Sequence, residues 1–260
     1  MDRLFASGSM DLFDFIDYAR DGLGLDAVEF EDKHFASVDG EYLAKVAGHC
    51  RDNRLDIANL AFFNSFGYPT REENLAEVGR AVDWMKAATA LGCANFRLFA
   101  GWMGGPDREI GFAGSILPKT PEAWEGMIEC VGMVCAEAAK RGLNVVIENH
   151  NHGGFLSLSS DVLRLFSEVR AGNLSLLLDT GNYADGIPGI EKTLHLATRH
   201  IHLKCREIQE DGSDAAFDLA RIVDLIRDGG FAGNLSLEYE GTQDEKAVLP
   251  RLVAFVRKRL

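Results

Sequence analysis

The 260-residue sequence has no run of Lys and Arg apart from the terminal "RKRL", and its formal net charge is −13. A chain this acidic repels a phosphate backbone, so nucleic acid is a poor partner. No apolar run approaches the roughly 18 residues that a membrane helix needs, and no basic n-region followed by an apolar stretch opens the chain. These absences point to a cytoplasmic protein with no membrane partner. There is no C-x-x-C, and the five cysteines (Cys50, Cys93, Cys130, Cys135 and Cys205) are odd in number. A disulfide framework does not suit so long a chain, and thiols in a reducing compartment are expected. Neither G-x-G-x-x-G nor G-x-x-x-x-G-K-[ST] occurs, so the glycine-rich turn of an open nucleotide-binding sheet is missing. There is also no linker and no low-complexity segment.

What the sequence does contain is alternation. Short apolar runs recur as "DAVEF" (26–30), "DIANLAFF" (56–63), "NFRLFAG" (95–101), "NVVIE" (144–148), "LSLLLD" (174–179), "HIHLKC" (200–205) and "LSLEYE" (235–240). Several are near-continuous in Val, Ile, Leu and Phe, as strands covered on both faces should be. Helical patterns lie between them. In 120–142, Trp124, Met127, Ile128, Val131, Cys135 and Ala138 mark one face, with Thr120 as N-cap, Pro121 at N1 and Gly142 as the stop. Leu219, Ile222, Val223 and Ile226 form a second stripe, ended by Gly229-Gly230. The pattern starting near Leu12 implies one more strand before it, in "RLFASG" (3–8). Eight βα units of about 32 residues predict an α/β fold, a (β/α)8 TIM barrel forming a single domain over residues 1–260.

In such a barrel chemistry gathers at the C-terminal strand ends. Four later strands end near Glu148, Asp179, His202 and Glu238. Singly, each is more readily a helix cap or a solvated loop residue. Together, one βα unit apart, they converge above the barrel axis. Three carboxylates brought together need a cation, because like charges resist shared burial. The O/N donor set suits one divalent metal ion, Mn or Mg first, with Co or Zn permitted. Side chains two apart on a strand share a face, which puts His150 with Glu148 and Lys204 with His202. Glu240 shares a face with Glu238, and spacing alone leaves open which of the two binds metal. Arg97 projects near its strand end, as a salt bridge or a substrate contact. His152 reads as a rim residue, Gly153-Gly154 as a tight turn, and Trp102 and Phe63 as packing or an apolar wall.

The pieces "GLDAVEF", "RLFAG", "VVIENHNHGG", "LLLDTGNY", "HIHLKCRE" and "DLARIVDLIRDGGFAGNLSLEYEG" resemble, in order and spacing, the xylose-isomerase-like TIM-barrel superfamily of sugar isomerases and epimerases. The resemblance runs from about Asp11 to the C-terminus. It implies metal ligands at Glu148, Asp179, His202 and Glu238, choosing Glu238 over Glu240, with Glu148 and Glu238 as the catalytic acid/base pair. It also implies a sugar or keto-polyol substrate. Two positions depart from the ketose 3-epimerase pattern. A histidine three residues after the metal-binding aspartate is here Asn182, and an arginine six after the metal-binding histidine is here Ile208, with Arg206 nearby. His150, Lys204, Arg97, Asn182 and Arg206 are the candidate substrate contacts. The expected function is a metal-dependent isomerase or epimerase that moves a proton beside a carbonyl through a metal-stabilised enediolate. Alternatives on the same site are an inosose-type dehydratase, a hydroxypyruvate isomerase and a sugar-sensing barrel without turnover. An endonuclease IV-like role fits poorly, since the early strands offer only His34. Self-association into a homo-oligomer stays open.

Overall fold

The computed structural model describes residues 2–105 and 117–260. The apolar runs become strands β1 (Ala27–Glu31), β2 (Asp56–Ala61), β3 (Asn95–Phe99), β4 (Asn144–Glu148), β5 (Leu174–Asp179), β6 (His200–Cys205) and β7 (Asn234–Tyr239). Each pairs in parallel with the next, in chain order, giving a seven-stranded, nearly closed barrel. Two helices precede it, α1 (Asp2–Ala6) and α2 (Leu12–Asp17). Seven more follow the strands: α3 (Gly40–Asp52), α4 (Arg71–Leu91), α5 (Pro121–Ala139), α6 (Ser159–Glu168), α7 (Ile187–Thr193), α8 (Leu219–Asp228) and α9 (Glu245–Arg257). None of the described helices is long and apolar enough to cross a membrane.

The helix boundaries follow local chemistry. Thr120 Oγ1 accepts the Ala123 N–H at the start of α5, with Pro121 in its first turn. The buried face of α5 carries Trp124, Met127, Val131, Cys135 and Ala138, so its 3.6-residue stripe is the one turned to the strands. A capping box between Thr70 and Glu73 opens α4, and Gly92, at φ 78°, closes it where a side chain would be strained. The strands are covered on both sides: Val145, Val146 and Ile147 of β4 are fully buried. All five cysteines are buried free thiols.

The expected strand in "RLFASG" is a helix instead. Residues 2–6 form α1, whose Arg3 donates to the Thr242 and Gln243 carbonyls and to Glu245, while Phe5 stacks on His34. A short apolar run cannot by itself distinguish strand from helix, and here these tertiary contacts decide. Among the described residues, therefore, no strand pairs with the outer edges of β1 and β7. The two strands meet through side chains: Ser236 Oγ donates to Glu29 Oε2 at 2.8 Å.

Candidate functional site

Register decides which side chains meet. Asp179 pairs with His202 across β5 and β6, and Lys204 with Glu238 across β6 and β7. Glu148 ends β4 on the same inner face. As a result one ligand-type atom each from Glu148, Asp179, His202 and Glu238 lies within 4.8 Å of all the others. Three of these side chains are deeply buried, whereas Glu238 keeps 33% of its side chain exposed toward the opening.

Among the described residues, three basic side chains hold the acids in place. Arg97 Nη1 donates to Glu148 Oε2 at 2.8 Å, from a side chain that also lies over the Phe99 ring. Lys204 Nζ sits 3.0 Å from Asp179 Oδ2 and 2.9 Å from both Glu238 Oε1 and Glu240 Oε1. The third is His202, whose Nδ1 faces Glu238 Oε2 at 3.1 Å and Glu148 Oε1 at 3.7 Å. Burial alone would push every carboxyl up. Arg97 and His202 outweigh it at Glu148, and Lys204 and His202 outweigh it at Glu238, so both are held below the ordinary range. At Asp179 burial wins, reinforced by Glu238 and Glu148 against the pull of Lys204, and the pKa lies well above normal. Burial likewise pulls His202 down, but Glu29 and Glu148 outweigh it and hold it well above normal.

This cluster fits a divalent cation. His202 Nδ1 and Glu238 Oε2 are buried and make no hydrogen bond of sound geometry, although they lie 3.1 Å from each other. Buried polar atoms without partners are rare and call for an explanation. A cation there would satisfy both and remove the repulsion among three carboxylates. Three oxygen donors and one imidazole, with no thiolate, suit a hard or borderline divalent metal.

The other expected contacts divide into two groups. Asn182 Nδ2 donates to Asp179 Oδ2 at 2.8 Å and to Glu148 Oε1 at 3.4 Å, so with Arg97 and Lys204 it is engaged by the acids. His150 and Arg206 line the mouth, as Asn182 also does. The His150 ring packs edge-on against Phe99 and Trp102, and burial pulls its pKa down to about 4, leaving it neutral. Arg206 reaches toward Glu240 at 3.6 Å and lies over the Phe217 ring. Trp102 is fully buried and stacks on the partly exposed Phe63. In the turn after β4, Gly153 takes φ 73° and Gly154 forms a backbone bridge to Trp102. The mouth is a cavity of about 600 Å³, a size that takes a small polar molecule.

The sequence assigned no role to Asn149 or to a second network on the far side of His202. Asn149 is fully buried, accepts the Asp179 N–H at 2.8 Å and donates to the Asp179 carbonyl at 2.9 Å, fixing the aspartate from its own backbone. That network centres on Glu29, with Asn59, His200 and Ser236. Strand alternation carried a signal for it: "AVEFE" puts Glu29 on the face opposite Val28 and Phe30, inside the barrel.

No curated protein sequence matches the chain. Solved structures match it closely in shape. A 3-keto-D-glucoside 4-epimerase from E. coli superposes with a TM-score of 0.71 at 17% identity, over 95% of this chain and 94% of its own. A D-psicose 3-epimerase from Clostridium cellulolyticum, crystallised with D-tagatose, gives 0.78 at 16%, over 96% and 94%. A probable 3-DHS dehydratase from Bacillus anthracis gives 0.72 at 15%, over 96% and 95%. At these identities the likeness establishes the fold. The family model described as xylose isomerase-like TIM barrel matches residues 16–259, nearly the whole chain, and the protein belongs to that family.

Proposed function

We propose that this protein is a divalent-metal-dependent isomerase-type enzyme acting on a sugar or keto-polyol, with Glu148 and Glu238 transferring a proton at the carbon beside a carbonyl. The observation that carries the reading is the placement of these two carboxylates on His202 Nδ1, at 3.7 and 3.1 Å, in one cluster with Asp179. Glu148, Asp179, His202 and Glu238 would hold the metal, with Mn or Mg first and Co or Zn permitted. When bound, the metal supplies a Lewis acid that polarises the substrate carbonyl and draws off the charge left by a departing proton.

The protein's own groups do the rest. Arg97 keeps Glu148 ionised and aimed, as a base must be. Glu238 is the more open carboxylate, with Lys204 on Oε1 and Oε2 left without a partner. A proton taken by one glutamate and returned by the other to the opposite face of the same carbon inverts it. Returned to the adjacent carbon, it isomerises the substrate. Arg97, Lys204 and Asn182 we assign to steadying the acids, since their donors already reach them. His150 and Arg206 we assign to substrate hydroxyls at the mouth.

A second reading is dehydration of a keto-polyol. Here the proton leaves to a glutamate and a hydroxyl on the next carbon departs with a proton as water. The favouring observation is Asn182, bonded to Asp179 and Glu148 where the ketose 3-epimerase pattern has a histidine. A dehydratase is also among the structural neighbours.

Turnover of a ketose and polyol panel in D₂O at saturating Mn²⁺ tests both. Deuterium on the carbon beside the carbonyl, with no other mass change, supports proton transfer. Loss of water supports dehydration. Isomerised or epimerised product without deuterium means a hydride shift and sinks the glutamate pair. No exchange and no turnover, with tight ligand binding, leaves a sensor.

A further inference from the structure

On the Nε2 side of His202, four side chains converge on Glu29, which also lines the cavity. His200 Nε2 lies 2.9 Å from Oε2, His202 Nε2 lies 2.9 and 3.1 Å from the two oxygens, and Ser236 Oγ and Asn59 Nδ2 each donate at 2.8 Å. They come from β6, β7 and β2, and Glu29 from β1, so the network ties the barrel's seam to its interior. A buried carboxylate is costly unless its lone pairs are used. Here its lone pairs are used by donors from four side chains.

An ionised carboxylate can only accept. Each imidazole beside it must therefore carry hydrogen on Nε2. For His202 the consequence is specific: in the neutral ring the lone pair is on Nδ1, the nitrogen that faces Glu148 and Glu238 and lacks a partner. His200 is the same arrangement without an acid cluster: its Nδ1 is buried and also lacks a partner.

We infer that Glu29 is a positioning residue, which fixes the His202 ring and its tautomer so that Nδ1 is presented to the three carboxylates and the metal they would hold. This rests on the metal reading proposed above. Histidine ligands commonly give their second N–H to a carboxylate, and loss of that partner typically weakens metal binding by 10–100-fold. Asn59 and Ser236 hold Glu29, and so act on His202 at one remove.

The test uses the full chain labelled with ¹⁵N at histidine, loaded with diamagnetic Mg²⁺ or Zn²⁺, with His202 assigned by comparison with His202→Asn. The expected spectrum has hydrogen on His202 Nε2. Glu29→Gln, whose amide opposes one imidazole N–H with a donor of its own, should shift the ring toward the other tautomer. Calorimetric Mn²⁺ affinity should fall by about 10–100-fold. Ser236→Ala should keep the tautomer and lose less than the glutamine variant. Hydrogen on Nδ1 in the loaded parent overturns the inference even if no variant folds. So does a Glu29→Gln protein that keeps both tautomer and affinity, and so does binding of two metal equivalents with one on Nε2. If the parent binds no metal at all, the proposed function fails. The positioning role then stands or falls on whether the neutral ring of the metal-free parent carries its hydrogen on Nε2.

Discussion

His202 has two sides, and they differ in kind. On the Nε2 side, the floor, a single carboxylate faces donors from Asn59, His200, His202 and Ser236, and its hydrogen bonds are made. On the Nδ1 side, the mouth, three carboxylates crowd together, one with its pKa driven well up, and two polar atoms have no partner. A carboxylate whose acceptor sites are filled stabilises a fold, and its donors are costly to remove, even though Asn59 Oδ1 and His200 Nδ1 beside it have no partner. Three crowded carboxylates hold electrostatic strain that a ligand can relieve. Neighbouring positions on one strand can therefore serve opposite ends, with β7 giving Ser236 to the floor and Glu238 to the mouth.

The largest effect should come from the mouth. Glu238→Gln is nearly isosteric, and at saturating Mn²⁺ it should slow solvent-deuterium exchange by about 10²–10⁴-fold, the range for a positioned acid or base. Exchange at the parent rate would show that the mouth is not where protons move. Next is metal affinity: His202→Ala should lose about 10-fold or more by calorimetry, while His152→Ala at the rim changes it little. Equal losses would erase the distinction between the ring that faces the acids and the one that only borders them.

The floor should answer in stability. Asn59→Leu leaves a Glu29 lone pair buried without a donor, which should cost about 1–3 kcal/mol in urea unfolding of the metal-free protein. No loss would mean that Glu29 does not depend on the Asn59 donor. The smallest effect comes from a group that hydrogen-bonds to neither region and serves as the control. Asp185 accepts the Ser159 N–H and hydroxyl at the start of α6, where Leu158 has no capping side chain. Burial pushes Asp185 up, but these bonds outweigh it and leave its pKa below the usual value. A depressed carboxyl stabilises the fold above its unfolded pKa, and that contribution is lost as pH falls through the folded value. Asp185→Asn should therefore cost about 1 kcal/mol near pH 7. The gap from the parent should close below about pH 4, the unfolded range of an aspartate. Metal affinity should not move.

How much of this was legible depended on how local each signal is. All seven strands lie where the apolar runs put them, and the α5 boundaries follow from Thr120 and Pro121, because those signals act within one element. The spacing of Glu148, Asp179, His202 and Glu238 announced the cluster, since parallel strands at a fixed period bring like positions together. "RLFASG" misled because Arg3 finds its partners at Thr242, Gln243 and Glu245, at the far end of the chain. Glu29 went unassigned for the same reason. Strand alternation places Glu29 inside the barrel but does not name its partners, and one of them, Ser236, is 207 residues away.

That separation has a consequence for how the molecule is made. The four mouth residues lie on consecutive strands β4 to β7, with Glu148 and Asp179 at strand ends and His202 and Glu238 within theirs, a contiguous block that local pairing can assemble in sequence. The floor needs β1 to meet β7, and closing so long a loop carries the largest entropic cost in the barrel. The acids are thus gathered by the chain's short-range contacts, and Glu29 reaches His202 only on closure. The seam works as a latch, and His202 is fully held only in a barrel that has shut.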